Sequence, residues 1–200
     1  MKITFDAKSL RAAIHCAAKK DVRFYLNGVL VHVNSTKALT VCATQGHVMF
    51  ACNVEYCSEG EAFAPGFQII VPYETIKALP KPSKYGDIVT LESLPDGSYM
   101  LGNSRFIAID GRFPDYRRVI PSIDAKAPSE PNHYNPEYLV TCNDALRTFF
   151  NGPKTISYKL THLEGSGVVH DGRSDAVCVV MPLRGDAAYQ GFFNNSDLDA

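Results

Sequence analysis

One local plan is written three times along this chain, and a repeat of that kind restricts the fold more than any single motif does. A short strand runs into a helix at Ile3-Thr-Phe-Asp6 before Lys8–Ile14. The same happens at Ile69-Ile-Val-Pro72 before Glu74–Leu79, and at His133-Tyr-Asn-Pro136 before Glu137–Val140. Asp6 and Asn135 suit N-caps, because their side-chain oxygens accept backbone N–H groups at a helix start. Pro72 and Pro136 fit the first helical turn, where no N–H is needed. With Leu10, Ile76 and Leu139 taken as equivalent, the copies are spaced by 66 and then 63 residues. Alternating segments come after each helix: Arg23–Val33, Ala38–Ala43 and Val48–Val54 in the first unit, Ile88–Glu92, Ser98–Leu101 and Arg105–Asp110 in the second, Thr155–Leu160, Gly167–His170 and Ala176–Met181 in the third. Pro95-Asp-Gly97 reads as a hairpin turn. Each unit is therefore β-α-β-β-β, and the fold class is α+β.

This plan predicts a complete two-unit domain over residues 1–121, a Pro-rich linker at 122–130, a half-domain of one unit over 131–184, and a flexible polar tail at 185–200. An apolar fraction of 46% supplies enough material for a core and excludes a disordered chain. Twenty Lys and Arg stand against 21 Asp and Glu, so any affinity for nucleic acid must come from local placement of charge. No apolar run is long enough to span a bilayer, and the amino terminus enters a strand pattern at once, which predicts a cytoplasmic protein without a membrane partner. The six cysteines form no Cys-x-x-Cys pair and lie mostly in apolar strand or helix patterns, as expected of reduced, buried thiols rather than metal ligands. Neither a Gly-rich phosphate loop nor a Gly-x-Ser-x-Gly elbow is present, and the aspartates are scattered. These readings predict a non-enzyme that needs no cofactor and no metal.

Three strings far apart in the chain stand out beside the repeat: Asp21-Val-Arg-Phe-Tyr-Leu-Asn-Gly28, Gly111-Arg-Phe-Pro-Asp-Tyr-Arg-Arg-Val-Ile-Pro121 and Val179-Val-Met-Pro-Leu-Arg184. Each mixes apolar residues suited to a pocket wall with a polar residue suited to orienting a ligand. Together with Ala43-Thr-Gln-Gly-His47, and in this order, they resemble the bacterial β sliding clamp family. The resemblance implies a DNA-clamp fold with helices inward and sheets outward. Residues 1–121 resemble the clamp's second domain and the half-domain resembles the second half of its third, while nothing resembles its first domain.

The resemblance also implies a groove for short peptides of DNA polymerase and clamp loader. On motif matching, Leu26 and Thr44 line its deeper subsite and Gly46, His47, Val48 and Met49 continue the wall. Pro114, Arg118 and Val119 form the other side, and Val180, Met181 and Pro182 close it from the half-domain. Leu, Val, Met and Pro take up apolar anchors, and Met repacks around different peptides. The family usually has Asp-Gly-His-Arg-Leu where this chain has Gln45-Gly-His-Val-Met49, which shifts the expected preference toward apolar contacts.

Non-specific binding of double-stranded DNA is expected from a basic stripe on the first helix. Lys8, Arg11, His15 and Lys19 recur at helical spacing, Lys20 and Arg23 extend the stripe, and Lys77 adds to it from the second helix. The expected third helix presents Glu137, Thr141, Asp144 and Thr148, a face that does not attract phosphates. The unit count allows a homo-oligomeric ring acting as a processivity factor. The alternative function is a clamp mimic that keeps the groove, does not encircle DNA, and competes for clamp-binding partners.

Overall fold

The computed structural model describes residues 1–82, 86–122, 133–152, 159–163, 165–170, 172 and 175–183. The first unit contains β1 (Lys2–Asp6), α1 (Lys8–Ala13), β2 (Gly28–Val33), β3 (Ala38–Thr44) and β4 (Val48–Cys57). The second contains β5 (Gln68–Pro72), α2 (Tyr73–Lys77), β6 (Ile88–Ser93), β7 (Tyr99–Leu101) and β8 (Ser104–Phe106). The third contains α3 (Pro136–Phe150), β9 (Lys159–Leu163), β10 (Ser166–His170) and β11 (Ala176–Val180).

The first two units exchange their first strands. β5 pairs antiparallel with β2, Gly28 opposite Pro72 through His32 opposite Gln68. β1 pairs in the same way with β6, Lys2 opposite Glu92 through Asp6 opposite Ile88. The spacing of 66 residues carries Lys2–Asp6 of β1 onto Gln68–Pro72 of β5, so the two exchanges are related by the repeat itself. Gly28 is a place where only glycine fits, since a Cβ there would stand 2.5 Å from the Val71 carbonyl oxygen. Each first strand also touches the closing segment of its own unit. Thr4 lies opposite Cys57 and Phe5 opposite Tyr56, while in the second unit Ile109 donates its backbone N–H to Ile70 at 3.0 Å.

The third unit joins through β11, which pairs antiparallel with β4 from Ala176 opposite Cys52 to Val180 opposite Val48. One sheet therefore runs β5-β2-β3-β4-β11-β10-β9 across both. Its two faces result from strand alternation. Val29, Val31, Val41, Val48, Phe50, Cys178 and Val180 face the helices and pack with Leu10, Cys142, Ala145 and Leu146. Leu30, Cys42, Met49, Ala51 and Val179 face the other way, where Phe113 and Tyr116 cover them. The segment after β8 thus closes a second, smaller core, which is why all six residues of β2 are buried.

Several elements differ from the sequence expectation. α1 ends at Ala13, so Lys19 does not continue a helical stripe; the backbone turns after Cys16 and Lys20 adopts φ 59°. The expected strand Arg23–Val33 starts only at Gly28, because Phe24–Leu26 forms a 3-10 turn. β8 is shorter than expected. α3 is longer: Asn135 accepts from Glu137 N–H at 2.9 Å at its start, and Asn151 in the left-handed conformation ends it. Asp6 accepts from Lys8 N–H at 3.0 Å from one residue outside the expected position, since Ala7 holds the N-cap and offers no side-chain acceptor. The expected third first strand is not a strand at 133–135. His133 there accepts the Leu183 N–H at 2.7 Å. Most of the linker and the whole tail lie outside the described residues, as does the start of the expected strand at 155.

Candidate functional site

The 3-10 turn Phe24–Leu26 is held against the sheet by a short set of bonds. Asn27 accepts the Asp21 N–H at 2.8 Å and donates back to the Asp21 carbonyl at 2.9 Å. Ala18 N–H bonds the Leu26 carbonyl at 3.1 Å, which buries Leu26 beside the end of β3. Arg23 then turns over the β3–β4 hairpin. It grips Asp21 through Nε and Nη2 at 3.0 and 2.8 Å and donates to the Gln45 carbonyl at 3.1 Å. Gly46 has φ +100°, and a Cβ on it would stand 3.0 Å from Arg23. Thr44 Oγ1 donates to the Val48 carbonyl at 2.8 Å and accepts from Gly46 N–H at 3.0 Å, which fixes the hairpin.

The opposite wall comes from the segment after β8. Asp115 accepts from the Arg117 N–H at 3.3 Å and starts a 3-10 turn over Tyr116–Arg118. That turn seats Tyr116 on the sheet, where its hydroxyl meets His32 Nδ1 at 3.0 Å. His32 is buried, and burial together with the nearby Arg117 charge pushes its pKa down, so it stands neutral beside the phenol. The third unit supplies the end wall. Met181 N–H donates to the His47 carbonyl at 2.8 Å, and the His47 ring stacks on Tyr138 of α3 at 5.5 Å.

Between these walls lies a cleft of about 210 Å³, large enough for one or two apolar side chains. Of the residues expected from sequence, Leu26, Thr44, Gly46, His47, Val48, Met49, Pro114, Val119 and Met181 line it. Arg118, Val180 and Pro182 do not. The Arg118 side chain points out to solvent, 86% exposed, and pairs with Asp115 at 3.2 Å. Val180 sits in the helix-side core, and its neighbour Val179, on the other face of β11, lines the cleft instead. Tyr25, Phe113, Tyr116 and Val179 belong to the lining although the motifs alone do not single them out. All four lie within the quoted strings, so alternation and the aromatic character of Phe113 and Tyr116 were the available signals. Arg23, expected on the DNA side, is at the cleft's lip.

The expected DNA-facing cations are largely engaged. Arg11 is forked onto Asp87 at 2.6 and 3.1 Å, with both side chains mostly buried, and also donates to the Pro80 carbonyl. Lys8 pairs with Asp6 at 3.0 Å and lies over the Phe149 ring. Lys19 sits over Tyr73, Lys77 is near Glu74 at 3.9 Å, and Lys20 is exposed. Asp144, on the face of α3 predicted to repel phosphates, is paired with Arg147 at 3.4 Å, and Thr148 meets His15 at 3.2 Å. Among the described residues no helix is long and apolar enough to cross a membrane, and no group of three or more metal-ligating side chains converges.

The family model for the DNA polymerase III beta subunit, central domain, matches residues 5–115. The Beta sliding clamp of Proteus mirabilis is 38% identical over 115 residues, covering 54% of this chain and 30% of that protein. That of Escherichia coli (strain K12) is 34% identical over 108 residues, covering 52% and 28%. The chain thus matches less than a third of the length of these curated relatives. In fold the likeness extends further. The DNA polymerase III subunit beta from Pseudomonas aeruginosa superposes with a TM-score of 0.66 at 20% identity, over 92% of this chain and 66% of that one. The subunit from Borrelia burgdorferi, solved with a natural product, gives 0.67 at 15% identity, over 93% and 63%. The third unit therefore shares the clamp-domain fold at the level of architecture, whereas over residues 5–115 the sequence itself places the chain in the family of DNA polymerase III beta subunit central domains, to which it belongs.

Proposed function

We propose that this chain is a non-catalytic, sliding-clamp-like protein whose cleft seats short peptide segments of DNA polymerase or clamp loader. The observation that carries the reading is convergence: four strings far apart in sequence meet around one apolar cleft at the junction of the first and third units. Met181 and Met49 supply adaptable walls, Leu26 and Tyr116 a floor, and Arg23 a cation at the lip beside the exposed Gly46–His47 backbone. Such a lining suits a peptide with a glutamine followed by Leu or Phe anchors. Arg118 belongs to the rim, and Val180 supports the wall from behind.

The test is direct binding of a fluorescent polymerase-tail peptide. Met181→Asp puts a charge into the apolar wall and abolishes saturable binding, whereas Glu92→Ala, on β6 away from the cleft, leaves affinity unchanged. Wild-type protein that shows no saturable binding at high micromolar peptide sinks the proposal.

A second reading, a mimic that competes for clamp partners without encircling DNA, is favoured by the ion pairing of the helix cations. Arg11 in particular is committed to Asp87 and Pro80 and is not presented to a phosphate. Retention on circular against linear DNA as salt is raised separates processivity from competition for partners.

A further inference from the structure

The repeat relates the three units at their first strands. Thr4, Ile70 and His133 are equivalent by the spacings of 66 and 63 residues. At all three this position meets the end of its own unit: Thr4 opposite Cys57 in β4, the Ile70 carbonyl accepting from Ile109 just after β8, and the His133 carbonyl accepting from Leu183 just after β11. The third unit therefore places His133, though 133–135 is not itself a strand, where the other two place their first strands.

The second edge of that strand is where the units part. In the first two units it is paired along its whole length with the sister unit's first post-helix strand, β1 with β6 and β5 with β2. The post-helix strand of the third unit is β9. Among the described residues β9 pairs with β10 alone, and no strand covers its second edge. An open edge of N–H and C=O groups is a template for another strand. A second position points the same way. Val140 stands where Arg11 stands in the first unit, and Arg11 is the residue that reaches into the sister unit at Asp87 and Pro80. Val140 is 59% exposed on α3, an apolar side chain at the place where the first unit makes its contact with a sister.

We infer that the third unit is completed by the third unit of a second copy of this chain, the stretch His133–Asn135 of each copy pairing with the uncovered edge of β9 in the other. The occupant is set by the molecule's own construction, since the exchange between the first two units shows what covers this edge and in which direction it runs. Two identical half-domains exchanging strands about a twofold axis make a closed, self-complementary interface. Val140 of each copy is buried at its centre. The contact is independent of the peptide cleft, none of whose lining residues lies on β9 or at Val140.

Sedimentation equilibrium over a dilution series tests this, with amide exchange on β9 read alongside. A dimer of the 22.0 kDa chain is expected, with β9 amides exchanging more slowly in concentrated than in dilute protein. Val140→Asp raises its dissociation constant by about tenfold or more, as expected for a charge placed in an apolar contact. Val140→Ser weakens it less, and Ile88→Asp, an equally exposed apolar position on β6, leaves it unchanged. Val140 is exposed in one copy, so these variants fold, which circular dichroism verifies, and their peptide affinity matches wild type. A monomer at every concentration overturns the inference. So does a dimer indifferent to Val140→Asp whose β9 amides exchange alike at all concentrations.

Discussion

The Asp21 carboxylate accepts three bonds from one residue, from the Arg23 backbone N–H at 2.8 Å, from Nε at 3.0 Å and from Nη2 at 2.8 Å. Those side-chain bonds first, and the backbone bond next, hold its carboxyl down at about 2. A depressed carboxylate pKa stabilises the ordered lip above the ordinary Asp value, and that contribution is lost as pH falls from the ordinary value through about 2. The Arg23 amide resonance is therefore expected to hold its position above about pH 4 and to move only in strong acid. Asp21→Asn should abolish that transition and weaken peptide binding by freeing Arg23; an Arg23 amide that titrates near the ordinary Asp range contradicts the bonding described. At this scale the motif strings were informative about membership and blind to direction. Arg118 and Arg23 look alike in sequence, but the cap at Asp115 turns Arg118 outward, while Asp21 and the Gln45 carbonyl draw Arg23 across the hairpin.

Between neighbouring residues on one strand the same ambiguity has a sharper resolution. β11 alternates, so Val179 lies opposite Met49 on the cleft side and Val180 opposite Val48 on the helix side. Val180→Ala should cost stability, roughly 1–3 kcal/mol for a buried apolar truncation, with little change in peptide affinity per folded molecule. Val179→Ala should cost peptide affinity in addition, and denaturant titration alongside peptide binding separates the two. Equal affinity losses for both would mean that the register is wrong. The three-unit plan, the Asn135 cap and the Pro72 and Pro136 positions were legible because each rests on local chemistry. Element lengths were not. α1 stops at Ala13, and β2 starts late because Asp21, Asn27 and Ala18 bond across the intervening turn, an arrangement that periodicity does not report. The motif points to Val180 rather than Val179 because it names a string, whereas the face is set by the partner strand.

At the level of the whole molecule, 20 cations against 21 anions leave DNA affinity to the few cations not already paired. Any contact with duplex should be weak, indifferent to base sequence and steeply lost with added salt. Lys20→Glu is expected to weaken it, while Arg11→Glu is expected to act mainly by destabilising the contact between the first two units, visible as a lower melting temperature. A ring remains on closed circular DNA at salt that strips it from linear duplex, and a mimic leaves both alike. Sequence preference, or binding untouched by salt, would contradict this account. The strand exchange between the first two units also orders events in time. β1 is made well before one of its neighbours, β6, which begins at Ile88. The first unit thus waits with an open edge until most of the second has been synthesised, and the two must close together as one slow, non-local step. Until then one edge of β1 is open to pairing with the wrong chain, a hazard that the exchange brings with it.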